Sequence, residues 1–302
     1  MPRQTLFAEA VNFFIFDTVK IFLLLAVIIF AVSFLRSFMP AEKIKGILSH
    51  RNRYGGNILA AIFGIITPFC TCSAIPLFLG FLEAGVPAGV TFSFLVSSPM
   101  VNEVAVVLLL GMFGLKTALI YAGSGLVIAV FSGIIIGRLN TEGLLSNSVF
   151  KAPASAAISN FRMTRMERFR YARAYTVFVI SKVWLYVIIG IAAGAWIHGY
   201  IPSDFLLRYA GGDKWYAVPL ATLVGIPLYS NAAGVIPLVS ALTEKGISIG
   251  TALAFMMAVT GLSLPEFMIL KKVMKAKLLL IFAGVVGSGI IFTGYLFNFI
   301  LK

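Results

Sequence analysis

The chain reads twice. At a constant offset of 161 residues, Gly64, Ile75-Pro76-Leu77, Glu83, Gly85, Gly89 and Phe94 return as Gly225, Ile236-Pro237-Leu238, Glu244, Gly246, Gly250 and Phe255. The match continues from Lys116, Leu119-Ile120, Ala122-Gly123 and Gly133 to Lys277, Leu280-Ile281, Ala283-Gly284 and Gly294. With one residue of slip it reaches back to Lys20 and Pro40, which meet Lys182 and Pro202. Any fold for this sequence must hold two related units, and an account of one half has to serve the other.

Those units belong in a bilayer. Hydrophobic residues make up 60% of the chain, charged residues 12%, and the mean hydropathy is +1.00. A soluble domain carries about a quarter charged residues. Runs at 11–39, 87–113, 117–137, 174–200, 249–270 and 278–300 reach the ~20 residues that cross a membrane. The net charge of +13 does not point to nucleic acid, because the basic residues cluster at the ends of apolar runs. The first apolar stretch is too long for a cleavable signal peptide and lacks a small-residue cleavage site. The two cysteines, one residue apart, form no disulfide framework.

Two more apolar stretches, 57–84 and 216–243, are interrupted. The first contains Pro68 and Pro76 around Cys70-Thr71-Cys72-Ser73, the second Pro227 and Pro237 around Tyr229-Ser230-Asn231. Proline removes a backbone donor and clashes with the preceding turn, so both read as broken helices. Such backbone survives at membrane depth only inside protein or against a cavity. If the broken stretches dip in and return, the halves have three spans each; if they cross, four plus four. Re-entry puts 16 Lys/Arg residues on the inner side and 6 outside, whereas crossing puts 10 inside and 12 outside. The positive-inside rule favours re-entry. An odd number of spans inverts the second half. The fold expected is therefore an all-α polytopic membrane protein, an inverted 3+3 repeat with one re-entrant hairpin per half, with 4+4 as the alternative.

The divisions expected are a first repeat over 1–137, a basic linker over 138–173 and a second repeat over 174–302. In the linker Phe161, Met163, Met166 and Phe169 alternate with arginines, a pattern that suits either an interfacial helix on anionic lipid or a plain cytoplasmic connector. Glycines at 111, 114, 123, 125, 133 and 137, and in the second half at 284, 287, 289 and 294, suit close helix packing in lipid.

Chemistry concentrates at the breaks. Thiolates are soft ligands for soft metals and metalloids. Helical spacing would splay Cys70 and Cys72 by about 200°, but in an irregular turn both sulfurs can face one cavity. Buried cysteine also serves as a small hydrophobe. No metal site is expected, since four ligands are usual for zinc and His50 and His198 lie elsewhere. In the second half Asn231 falls opposite Cys70, so Tyr229, Ser230 and Asn231 offer hydrogen bonds where the first half offers sulfur; they also suit capping of freed backbone. The next element carries Ser97-Ser98-Pro99-Met100-Val101-Asn102-Glu103, with Leu264-Pro265-Glu266 near the equivalent place. Acids inside apolar runs suggest a proton relay by default, which makes Glu103 and Glu266 the proton-coupling candidates. Lys271 and Lys272 could instead pair with Glu266. Asp17 and Lys20, three apart on one helix face, read as an ion pair.

The motifs Thr67-Pro68-Phe69-Cys70-Thr71-Cys72-Ser73-Ala74-Ile75-Pro76-Leu77-Phe78, Glu83-Ala84-Gly85-Val86-Pro87 and Ser97-Ser98-Pro99-Met100-Val101-Asn102-Glu103 closely resemble those of the predicted-permease family that includes the bacterial organoarsenical efflux permeases. Pro227-Leu228-Tyr229-Ser230-Asn231-Ala232-Ala233-Gly234 and Leu264-Pro265-Glu266 look like its partner motifs. The resemblance covers nearly everything outside the linker. It implies export of trivalent methylated or aromatic arsenicals in the characterised branch, with cysteine involved. Carried over, Cys70 and Cys72 become candidate arsenic–thiol contacts. Family members commonly have Ser where this chain has Thr71, a change that keeps both sulfurs.

These readings converge on a secondary active permease, not an enzyme, exporting a small thiophilic compound by alternating access. No Gly-x-x-x-x-Gly-Lys-Ser/Thr occurs, so an ion gradient or a partner must supply energy. The substrate-binding residues expected are Cys70, Cys72, Ser73, Ser97, Ser98, Asn102, Tyr229, Ser230 and Asn231. No cofactor is expected. The partners are a small molecule and the lipid bilayer, not nucleic acid, and a homo-oligomer is compatible with the sequence. Permeation of a sulfur compound or metal–thiol adduct and a membrane thiol-redox role are the alternatives.

Overall fold

The structure, a computed structural model, describes residues 3–36, 54–67, 71–83, 85–139, 144, 164–200, 214–228 and 232–301. Among them there is no β-strand, and the regular structure is helical. The first half holds α1 (Arg3–Arg36), α2 (Gly55–Ile66), α3 (Thr71–Glu83), α4 (Ala88–Met100) and α5 (Glu103–Arg138). The second holds α6 (Arg165–Tyr200), α7 (Ala217–Gly225), α8 (Ala232–Glu244), α9 (Ile249–Gly261), α10 (Leu264–Val273) and α11 (Ala276–Ile300). Shifted by 161 residues, α3 and α4 have the same bounds as α8 and α9.

Local rules explain the shared ends. α3 and α8 each stop in a Schellman turn. Gly85 donates to the Leu82 carbonyl and Val86 to Phe81; Gly246 donates to Thr243 and Ile247 to Leu242. Gly85 and Gly246 sit at φ of 76° and 95°, where a Cβ would be strained.

Among the described residues Glu103–Arg138, Ile249–Lys271 and Ala276–Ile300 are long and apolar enough to cross a membrane. The apolar runs 87–113 and 117–137 are not two separate helices, as the hydropathy suggests. The chain breaks at Val101-Asn102, and α5 then runs through the boundary between the runs, with one non-helical residue at Gly114 (φ 80°). Pro99 and a strong N-cap residue, Asn102, outweigh hydropathy there. In the second half the position of Gly114 is taken by Lys275, where α10 gives way to α11.

Three helices pack on their own counterparts: α1 on α6, α4 on α9 and α5 on α11. The contact of α3 with α10 is matched by that of α8 with α5. Phe78, Phe92, Phe94, Phe255 and Phe282 are fully buried at the centre. Phe92 lies edge-on to Phe78 at 5.1 Å and reaches Phe282, across the repeats, at 6.0 Å. The outer face is also apolar, with Leu119, Phe131, Leu280, Phe292 and Phe299 exposed, as a lipid-facing surface requires.

The end of the expected linker is helix. Thr164 caps α6: its amide donates to Glu167 Oε2 (2.7 Å), and the Glu167 amide returns a bond to Thr164 Oγ1 (3.4 Å). This capping box holds the Glu167 carboxyl below its usual range, mainly through the Thr164 amide and then its hydroxyl. Met166 and Phe169 are exposed beside Arg165, Arg170 and Arg173; Phe161 and Met163 lie outside the described residues. The side chain of Asp17 is likewise not among those described, and Lys20 lies over the Phe16 ring at 5.9 Å.

Candidate functional site

Each broken stretch holds the end of one helix and the start of the next. Thr67 closes α2 by donating its hydroxyl to Phe63 (2.9 Å) and Gly64 (3.1 Å) carbonyls. The chain resumes at α3, whose first turn is Thr71-Cys72-Ser73. Cys72 and Ser73 are thus placed at a helix start, where the dipole favours anionic groups, although their side chains are not among those described. Cys70 lies outside the described residues, as do Tyr229, Ser230 and Asn231, which precede α8.

Ser97 and Ser98 are buried on the last turn of α4. Ser97 Oγ donates to the Phe94 carbonyl (3.1 Å). It also lies against Gly64, where any Cβ would collide with it and with the Phe94 carbonyl. This glycine lets α2 and α4 touch backbone to side chain, one turn before the Cys70 break. Lower on the same contact Asn57 donates to Ser93 Oγ (2.9 Å). Asn102 is a structural cap: its Oδ1 accepts the Ala105 amide at 2.7 Å.

The two acids differ. Glu103 is the first residue of α5 and is exposed. Glu266 is only 1% exposed, and neither oxygen has a hydrogen-bond partner. Two residues of helical advance rotate a side chain by about 200°. Glu103 at the first position of its helix and Glu266 at the third therefore face opposite ways. Lys271 is exposed and does not pair with Glu266.

Sequence reasoning missed Tyr121. It is fully buried, and its hydroxyl donates to the Met100 carbonyl (2.7 Å), satisfying the end of α4. Its counterpart is Phe282, and a lone tyrosine in a glycine-rich apolar helix was the available signal. Met100 in turn packs on Gly261, so the ends of α4 and α9 meet. Leu264 donates its amide to the Ile226 carbonyl (2.9 Å), tying the start of α10 to the turn after α7. The two breaks of the second half are thereby joined. Among the described residues no group of three or more His, Cys, Asp or Glu is placed to hold a metal ion. A separate apolar cavity of about 630 Å³ lies between α5 and α11, lined by Phe131, Ser132, Ser288 and Phe292 among others; it contains none of the residues expected at the site.

Residues 6–299 match the profile of a family described as a predicted permease. Among curated proteins, a UPF0718 protein of Methanocaldococcus jannaschii is 22% identical, with 86% of each chain covered. The UPF0718 protein YcgR of Bacillus subtilis is 22% identical, with 85% of each covered. A protein of Streptococcus mutans named a putative two-component membrane permease complex subunit is 24% identical over 78% of this chain and 77% of its own. No solved structure matches.

Proposed function

Because the chain belongs to the predicted-permease family and is a multi-pass membrane protein, we propose that it is a secondary active permease exporting a small thiophilic compound, a trivalent organoarsenical above all. The observation that carries this reading is the start of α3. Cys72 stands in the first turn of a helix that begins at a break, with Cys70 just before it. A helix N-terminus stabilises a thiolate, and a thiolate is a soft ligand for arsenic. A trivalent monomethyl arsenical has two exchangeable positions for two thiols, and its methyl group prefers an apolar cavity. Ser73, Ser97, Ser98 and Asn102 from the first half, and Tyr229, Ser230 and Asn231 from the second, complete the proposed site.

Alternating access of this site between two inverted 3+3 repeats is the mechanism proposed. It is supported by the packing of α1, α4 and α5 on their own counterparts and by the Lys/Arg distribution. The energy source proposed is proton exchange at an intramembrane carboxyl, for which Glu103 and Glu266 are the sequence candidates.

The test is uptake of trivalent methylarsenical into everted membrane vesicles from arsenic-sensitive bacteria, with wild type beside Cys70→Ser and Cys72→Ser. Uptake by wild type that is lost in either variant is expected. Unchanged uptake in both variants overturns the thiol site. No uptake by inserted, folded wild type overturns the arsenical and turns the search to sulfur compounds and metal–thiol adducts.

A further inference from the structure

The start of α10 carries buried polarity that its own fold leaves unused. Ser263-Leu264-Pro265-Glu266 is a capping-box sequence, in which the first hydroxyl accepts the third-position amide and the glutamate reaches back to the cap amide. Neither bond is made. Ser263 Oγ and both Glu266 oxygens are without partners, although the Ser263 amide faces the carboxyl. Each side chain is 1% exposed. Two other caps are closed, at Asn102 with Ala105 and at Thr164 with Glu167, and the Ser248 hydroxyl before α9, which makes no cap bond, is still satisfied by Thr251 Oγ1 (2.7 Å).

A carboxylate buried without a counter-charge is costly, and the usual resolution is neutralisation. The helices packed on α10 are α6, α11 and α3. They bring Arg165, Glu167, Arg168, Arg170, Tyr171, Arg173, Tyr175, Lys182, Tyr186, His198 and Tyr200; Lys277 and Tyr295; and Cys72 and Glu83. On α10 itself stand Lys271 and Lys272. None of their described side chains bonds Glu266. A hard metal cation needs a shell of several oxygens, and one hydroxyl with one carboxyl does not supply it. A single proton needs only the carboxyl.

The location gives that proton leverage. Leu264, inside the same turn, is bonded to Ile226 at the break before Tyr229. α10 also packs on α3, the helix that begins at the cysteine break. We infer that Ser263 and Glu266 form the permease's coupling site, a one-proton site at the start of α10. In the conformation described the carboxyl is neutral. Its O–H bond breaks when the capping box closes, the proton passes to water, and the carboxylate takes the Ser263 amide. Of the two sequence candidates this selects Glu266, because Glu103 is exposed at the start of α5. This inference rests on the permease reading for its role, but the proton site has a readout of its own.

That readout is infrared spectroscopy of purified protein in lipid, without substrate. Wild type is expected to show a protonated-carboxyl C=O band at neutral pH that is lost in Glu266→Gln and kept in Glu103→Gln. Should Glu266→Gln not fold, Glu266→Asp is expected to shift the band. A band that is absent from wild type, or unmoved by either Glu266 substitution, overturns the site. In proteoliposomes, trivalent methylarsenical accumulation by wild type should follow an imposed pH gradient and lose that dependence in Glu266→Gln. Dependence on sodium with none on pH overturns the proton. If wild type moves no arsenical, the substrate reading fails, and the infrared band alone decides the site.

Discussion

Thr164-Arg165-Met166-Glu167 and Ser263-Leu264-Pro265-Glu266 carry the same helix-start pattern and end in opposite states. The first is exposed and closed, with both reciprocal bonds made. The second is buried and open, with neither made. In water a closed cap is a small gain over solvation; inside the protein an open cap leaves polar atoms with nothing. The same contrast separates the halves more broadly. The contact of α2 with α4 is polar at Asn57, Ser93 and Ser97, each satisfied. The contact of α7 with α9 puts Val218, Ala254 and Ala258 at the equivalent positions. At this contact the first half carries its polarity in completed bonds, where the second half places apolar side chains.

Charge reversal separates the two caps most sharply. Glu266→Lys should cost more than about 3 kcal/mol and deplete folded protein in detergent, while Glu167→Lys should leave the yield and melting temperature nearly unchanged. A large loss in both would show that exposure is not what distinguishes them. Asn57→Val alone strands the Ser93 hydroxyl and should cost about 1–3 kcal/mol. Adding Ser93→Ala, which copies the second half, should recover most of it, as read by thermal unfolding of single and double variants. Asn102→Ala should cost about 1 kcal/mol. Ser263→Ala removes a hydroxyl with no partner and should change stability by less than about 0.5 kcal/mol; equal losses would mean the second cap is closed in solution. The smallest effect is pH-dependent. The carboxyl of Glu167 is held below its usual value, so its stabilisation is present above about pH 4.3 and fades as pH falls through the lowered value. Amide exchange at residues 164–168 should accelerate there in wild type and show no such step in Glu167→Gln.

The helical class and the ends of α2 and α7 were legible because proline acts locally. The run 87–113 was read as one span broken at its proline, not as the end of one helix at Met100 and the start of another at Glu103. The flanks of that division are as apolar as a span, and hydropathy does not register where a helix ends. Ser97, Ser98 and Asn102 were read as substrate contacts, but Asn102 also caps α5 and Ser97 bonds its own helix. The two acids looked alike in sequence because both follow a proline in an apolar run. What separates them is their position in the first helical turn, and that depends on where each helix begins. Tyr121 went unnoticed because its partner, the Met100 carbonyl, is a backbone group, which sequence does not distinguish from any other.

The packing of α1, α4 and α5 on their own counterparts has an ancestral consequence. Contact between equivalent surfaces is what two copies of one shorter chain would make in a symmetric dimer. In such a dimer every substitution appears twice, so a glutamate at the position of Glu266 would be matched by a second one at the position of Ala105. In one chain that carries both units, each side can change alone. The buried carboxyl of Glu266, the lone pair of cysteines and Tyr121, whose counterpart is Phe282, are all differences that two identical copies could not hold.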